Sequence, residues 1–377
     1  MQCARAAGAL LALVWVALPV EACEAGKPAA KANIDVVICL DTSNSMDGLI
    51  GSAKSKLWDI VNDLARAKPT PNLRVALYSY GNNGYDPKVG WVRKDQDFTT
   101  DLDKINEKLF GLKTNGGEEY VARVCRDAID QLEWSKDKRA LKMIFVCGNE
   151  PADQDRQVHL KDVADKAVRQ GIIINTIYCG PVNHPETKLW REFAVLCEGR
   201  FACIDQDQGT VAINTPFDKE LATLSVKLNQ TFVFCGKDAN ALCENQKRQD
   251  ANAASQGAAV AAGRAVSKGG ALYHFEASDL VERLKNDPKF DVKKVPVDEL
   301  TEELKKMTPE QREKHVKKQL AERETLQKQI GELGKKREAF VSAERKKNGS
   351  KADKAFDEAV RTALRQQAAK KQINIPE

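Results

Sequence analysis

The sequence predicts an α/β protein, a doubly wound and mostly parallel sheet followed by an α-helical C-terminal extension. Three observations predict it. Nearly continuous apolar runs alternate with segments of helical spacing, which implies right-handed crossovers and parallel pairing. The runs IDVVICL (34–40), LRVALYSY (73–80), LKMIFVC (141–147) and GIIINTIY (171–178) lack polar alternation, as in strands covered on both faces. After residue 235 the strand-like runs stop, and Ala-rich and then Lys/Glu/Gln-rich helical sequence takes over.

Taken in order, residues 1–22 read as an export signal. Arg5 supplies charge, AAGALLALVWVALPV an apolar core too short for a membrane span, and VEAC a small-residue cleavage site. A cut after Ala22 releases a soluble chain, whereas modification of Cys23 gives a lipid anchor. Both readings place the mature protein extracytoplasmically, in the periplasm, at the cell surface or in the medium. Residues 23–33 form a tether and 34–234 the α/β domain. Within that domain, Leu49, Leu57, Ile60, Val61 and Leu64 mark the first helix. A weaker strand runs through WVRKDQDF, and helices are expected near 101–110, 118–132, 155–170 and 187–198. RFACID follows as a last strand. Thr215-Pro216 opens a helix carrying Phe217, Leu221, Leu224 and Leu228 on one face. Residues 235–296 are a linker and Ala-rich helical region, and 297–377 a basic helical extension. Thr308 is expected to cap the helix beginning TPEQREKH. A helical hairpin, turning near 346–353 and packing on itself or on the α/β domain, fits better than a long coiled coil because the apolar seam Leu326, Leu333, Phe340 is short.

Of 377 residues, 59 are Lys or Arg and 54 Asp or Glu, a formal net charge of +5. From Thr301 onward 20 basic residues face 13 acidic ones, so the basic character belongs to the tail. Its charges alternate in sign with few aromatics, which describes a solvated helical face or weak attachment to an envelope surface, not a nucleic-acid interface. Eight cysteines follow Cys23. Cys39, Cys147 and Cys179 sit in strand runs, either as small buried hydrophobes or as disulfide partners in the oxidising compartment that export implies. Cys235 and Cys243, in the polar CGKDANALC, are the pair best placed by sequence to bridge. No CxxC pair or Cys/His cluster suggests zinc, and the four histidines have no ligand spacing.

The stretch that carries chemistry is DTSNSMDG, directly after the first strand run. In doubly wound sheets ligands bind at the carboxyl ends of strands where the strand order reverses, and Asp41 stands at such an end. Asp41, Ser43 and Ser45 form D-x-S-x-S, an oxygen donor set suited to a hard divalent cation. The competing reading is that Asp and Ser cap the next helix. This stretch, after an apolar strand, resembles the metal-ion-dependent adhesion site of von Willebrand factor type A domains. TNGGEEYVARVCRDAIDQLEW, KMIFVCGNEP, GIIINTIYCGP and LNQTFVFCG resemble a group of exported bacterial proteins carrying that domain with a helical extension. The resemblance covers about residues 33–230 and implies the fold, a metal-dependent binding role and Mg²⁺ (or Mn²⁺ or Ca²⁺) as cofactor. It also implies a protein partner offering a carboxylate.

Two departures stand out against that family. Where it has a ligand threonine before the third helix, this chain reads TNGGEEY, so Glu119, then Glu118, then Thr114 are the candidates. The two glutamates are equally well read as acids at a helix N-terminus. Where the family has an aspartate after the fourth strand, this chain reads Cys147-Gly148-Asn149, leaving Asn149, Glu150 or Asp153 as stand-ins. No nucleophile elbow, phosphate loop or dinucleotide fingerprint occurs, which points to a binding protein and away from an enzyme. The alternative is an envelope scaffold with a degenerate, metal-free site.

Overall fold

The computed structural model describes residues 31–65, 67–204, 213–275, 277–287, 289–348 and 351–375. The expected leader and Cys23 lie outside the described residues.

Six strands form one sheet: β1 (Asn33–Asp41), β2 (Asn72–Tyr80), β3 (Val92–Thr99), β4 (Leu141–Gly148), β5 (Ile172–Cys179) and β6 (Phe201–Ile204). Their order is β3-β2-β1-β4-β5-β6. All pairings are parallel except β2 with β3. The weak pattern expected of WVRKDQDF is explained by its position, since β3 is an edge strand with one face in solvent. The order reverses at β1, whose neighbours are β2 and β4, and this opens a crevice at the carboxyl end of β1.

The apolar run of β1 feeds two cores in alternation. Ile34, Val36, Ile38 and Leu40 pack with helices α1 (Ile50–Ala65) and α2 (Leu102–Gly111). Val37 and Cys39 point to the opposite face, among α3 (Val121–Gln131), α4 (Leu160–Arg169) and α5 (Thr187–Leu196). Period-two side chains between two helical layers need no polar alternation. The one charge in the run, Asp35, is buried but held by Arg74 Nε and Nη2 (2.9 and 2.8 Å) and by the Ser135 N–H (2.7 Å).

The C-terminal half is helical: α6 (Asp218–Asn229), α7 (Ala239–Ser255), α8 (Ala258–Gly269), α9 (Leu280–Asn286), α10 (Glu302–Lys305), α11 (Pro309–Asn348) and α12 (Lys351–Ala369). Thr308 and Gln311 cap α11 reciprocally, the threonine hydroxyl accepting from the Gln311 N–H (3.2 Å) and the glutamine oxygen from the Thr308 N–H (2.8 Å). The long α11 packs on α6, α8 and α9, whereas α12 packs on β6 and α1. Val360, Leu364 and Ala368 of α12 complete the core on the α1 side of the sheet. Gln367 donates to the buried Asn175 of β5 (2.8 Å), and Asn374 pairs with Lys68. The terminal helix of the hairpin thus docks on the α/β domain. Cys235 and Cys243 are separate thiols, contrary to the bridge expected from sequence: Cys235 is buried in the small core beneath α9 and α11, while α7 carries Cys243 on its own axis.

Two buried ionic clusters fasten this half. Arg264 of α8 joins Asp103 of α2 (2.8 Å) and Asp250 of α7 (2.5 Å), and Lys268 joins Asp250 (2.6 Å). Arg323 of α11 joins Asp279 (2.5 Å) and Glu282 (3.1 Å) and lies over the Phe232 ring. Removing one member of such a set leaves the others charged and buried. Arg323→Ala is therefore expected to destabilise the fold by about 3–5 kcal/mol, read as a lowered urea midpoint.

Candidate metal centre

Three loops meet at the carboxyl end of β1. The first continues β1. Thr42 is tied to the last residue of β2, its N–H (2.8 Å) and hydroxyl (2.9 Å) both donating to the Tyr80 carbonyl. The Ser43 N–H donates to Asp41 Oδ1 (2.8 Å), which turns the chain within two residues. A short 3-10 turn follows at Asn44–Met46, anchored by the buried Met46, and α1 begins only at Ile50. Ser43 makes no side-chain bond that caps this turn. The hydroxyls of Ser43 and Ser45 instead share a hydrogen bond (2.9 Å). The Ser43 hydroxyl is therefore not spent on capping this turn.

The second loop, 112–120, is clamped to the first. The Asn115 N–H donates to the Thr42 carbonyl (2.9 Å), and Asn82 donates to the Lys113 carbonyl (3.0 Å). Gly81 and Gly117 allow the close approach, since a Cβ on Gly117 would stand 2.5 Å from the Gly81 carbonyl oxygen. At Gly81 (φ +72°) a Cβ would meet Asp41 Oδ1 at 2.9 Å and Glu119 Cγ at 3.0 Å, so the two acids flank this glycine. Glu119 is buried and accepts from Gln154 Nε2 (3.1 Å). It lies directly before the cap position of α3, Tyr120, outside the helix's first turn. Glu118 turns outward to the Tyr120 hydroxyl, and Thr114 turns to Asp47. Of the sequence candidates, the fold gathers Asp41, Ser43, Ser45 and Glu119, and leaves Glu118 and Thr114 aside.

The third loop follows β4. Asn149 accepts from the Ser45 hydroxyl (2.9 Å) and donates to the Ser45 carbonyl (3.0 Å). Glu150 contributes charge to the site, whereas Asp153 is exposed. Gly148 matters too: a Cβ there would stand 3.0 Å from Asp41 Oδ2 and 2.5 Å from the Tyr80 hydroxyl. Sequence reasoning passed over Gly81, Gly148 and Gln154. The turn-prone GNNG after β2 was the available signal for Gly81, and nothing local marks Gln154.

The electrostatics are unbalanced. Asp41 is fully buried, and its Oδ2 has no hydrogen-bond partner. Burial pushes its carboxyl up to about 7, against the Ser43 bonds that lower it, with Glu119 and Glu150 raising it further. Burial also raises the Glu119 carboxyl, opposed by the Gln154 bond. The Ser43 hydroxyl faces both carboxylates and the Ser45 hydroxyl, and its single proton cannot serve three oxygens. An orphaned buried oxygen, a second carboxylate and two hydroxyls on a glycine-lined floor fit a small hard cation. Among the described residues no group of three or more His, Cys, Asp or Glu side chains is placed to hold a metal, so the candidate rests on this mixed donor set. Cavities of about 620 Å³ (Trp91, Glu118, Tyr120, Arg123) and about 350 Å³ (Asn149, Tyr178, Cys179, His184) flank it. A roomier, polar hollow of about 790 Å³ lies at the opposite end of the sheet, by Asn33, Asn72 and Lys142, away from this chemistry.

Residues 35–194 match the von Willebrand factor type A domain model, and this part of the chain is a von Willebrand factor type A domain. Similar solved structures include the VWA domain of SpRpn10, at 16% identity and TM-score 0.37, over 46% of this chain and 89% of that one. Others are proximal thread matrix protein 1 from the mussel byssus with a zinc-occupied MIDAS motif (12%, TM-score 0.35, 47% of this chain and 43% of that one) and the pilus adhesin SpaC from Lactobacillus rhamnosus GG (14%, TM-score 0.36, 47% and 28%). This chain spans less than half of each of the last two. No curated protein is a significant match to the sequence.

The Asp41 environment sets a pH dependence for the metal-free protein. A carboxyl raised from 3.8 to about 7 in the fold contributes stability that is fully present below about 3.8 and is lost as pH rises through about 7. That rise corresponds to roughly 4 kcal/mol. In EDTA, Asp41→Asn, which keeps the acceptor for the Ser43 N–H, is expected to be more stable than wild type at pH 8. The advantage shrinks toward zero at pH 4, as read by denaturation midpoints across that range.

Proposed function

We propose that this protein is an extracytoplasmic binding protein, not an enzyme, whose type A domain engages an acidic side chain of a partner protein through a divalent cation. Domains of this class commonly mediate protein–protein interaction through such a site. The observation that carries the reading is the buried Asp41, with its Oδ2 partnerless and Glu119 beside it at Gly81. Asp41, Ser43, Ser45 and Glu119 would hold the ion, with Mg²⁺ or Mn²⁺ as the first candidates and Ca²⁺ as the third. When bound, the cation supplies an electrophilic centre for an incoming carboxylate. The chain's own groups do the rest. Asp41 is oriented by the Ser43 N–H, Glu119 by Gln154, and Ser45 by Asn149. The glycines keep the floor open, and the flanking His184 is engaged with the Tyr178 hydroxyl (2.8 Å). Attachment to an envelope through Cys23 or the basic tail belongs to the same proposal, and nucleic acid is not a partner in it.

A second reading has one observation in its favour. The Ser43–Ser45–Asn149 chain closes on itself within the protein, as a metal-free scaffold site would. Metal titration separates the two. A cation that binds only the native state raises stability by about 2.7 kcal/mol at a hundredfold excess over its Kd. Thermal melts with Mn²⁺ or Mg²⁺ after EDTA treatment are expected to shift upward for wild type and not for Asp41→Ala. Glu119→Gln is expected to lose most of the shift. Melts indifferent to both ions in the wild type would leave the scaffold reading standing.

A further inference from the structure

The carboxyl ends of β4 and β5 bring two sulfurs together. Cys147 Sγ and Cys179 Sγ lie 3.2 Å apart, both buried, on neighbouring parallel strands. A disulfide bond of about 2.05 Å needs them to close by only about 1 Å. Two small buried hydrophobes would satisfy packing without such an approach. Cys179 also borders the flanking cavity of about 350 Å³ beside Asn149, Tyr178 and His184. The pair sits where the β4–β5 ladder ends, at Gly148 opposite Tyr178, and it joins residues 32 apart around the crossover helix α4. A staple there would restrain the strand ends and the loop that positions Asn149.

We propose that Cys147 and Cys179 form an intramolecular disulfide by exchange with a disulfide oxidant. This does not depend on metal binding. One cysteine thiolate attacks a sulfur of the oxidant, forming a mixed disulfide and releasing one oxidant thiol. The second thiolate attacks the protein-bound sulfur, closing the Cys147–Cys179 bond and releasing the other oxidant thiol. The protein loses two protons and two electrons, and both are found on the two reduced oxidant thiols. Closing a loop of this length restricts the unfolded chain and stabilises the fold.

The test uses the full chain, purified reduced and incubated with glutathione disulfide. After quenching, denaturation and alkylation, the count of alkylated cysteines is expected to fall by two, with a Cys147–Cys179 linked peptide in the non-reduced digest. The oxidised protein is expected to melt several degrees above the reduced protein, and this difference should vanish in Cys147→Ala/Cys179→Ala. In Cys179→Ala, Cys147 is expected to carry glutathione or stay free, with no new bridge. Full alkylation of Cys147 and Cys179 after treatment, or bridges from either to another cysteine, would overturn the proposal. An equal rise on oxidation in the double variant would overturn the stabilising role.

Discussion

Everything at the carboxyl end of the sheet follows from one constraint: a carboxylate is held in a fully buried position with one oxygen unsatisfied. Asp41 ends a strand flanked by β2 and β4, so it cannot turn to solvent without breaking the turn its own Oδ1 makes with the Ser43 N–H. Unpaired buried charge is expensive, and a fold keeps it only where something else, a proton or a cation, is meant to share the site. Glu119 deepens the imbalance, because it brings a second buried acid to the same floor, and no cation partners it among the described contacts. The arrangement is costly as a structural device and intelligible as a receptor for positive charge.

The remainder of the molecule makes that imbalance tolerable. The two alternating cores hold β1 rigidly on both faces, and the loops are pinned by backbone bonds such as Asn115 N–H to the Thr42 carbonyl. The helical half adds rigidity in a different way. Two sets of its buried ions are paired, Arg264 between Asp103 and Asp250 and Arg323 between Asp279 and Glu282. Paired charge fixes these helices on the domain, whereas Asp41 Oδ2 in the crevice has no partner.

What could be read in the sequence divides along physical lines. The strands were legible because a two-sided buried strand must be apolar throughout, as 34–40 and 141–147 are. Asp41, Ser43 and Ser45 were legible because local spacing alone sets their geometry. Glu119 ranked above Glu118 by helix register, and the fold separates them the same way, one toward Asp41 and the other toward Tyr120. Gln154 and the Asn149–Ser45 exchange were not legible, since they join residues 35 and 104 positions apart along the chain with no local pattern. The Cys235–Cys243 bridge failed for the complementary reason: short sequence separation suggested proximity, but a helix beginning at Ala239 carries the second sulfur away from the core that holds the first.

The two chemistries on this face share a strand. β4 presents Cys147 toward β5, Gly148 toward Asp41 and the loop residue Asn149 toward Ser45, within three consecutive positions. The backbone of Cys147 also accepts from the buried Tyr80 hydroxyl (3.1 Å), which ties β4 to β2 across β1. Any movement of Cys147 is therefore felt at the Gly148 contact with Asp41, where there is no slack for even a methyl group. Packed interiors transmit displacement because their atoms have nowhere else to go. A bond between the sulfurs, made on the flank of the site, would act on the same few ångströms of backbone that set the position of the buried carboxylate.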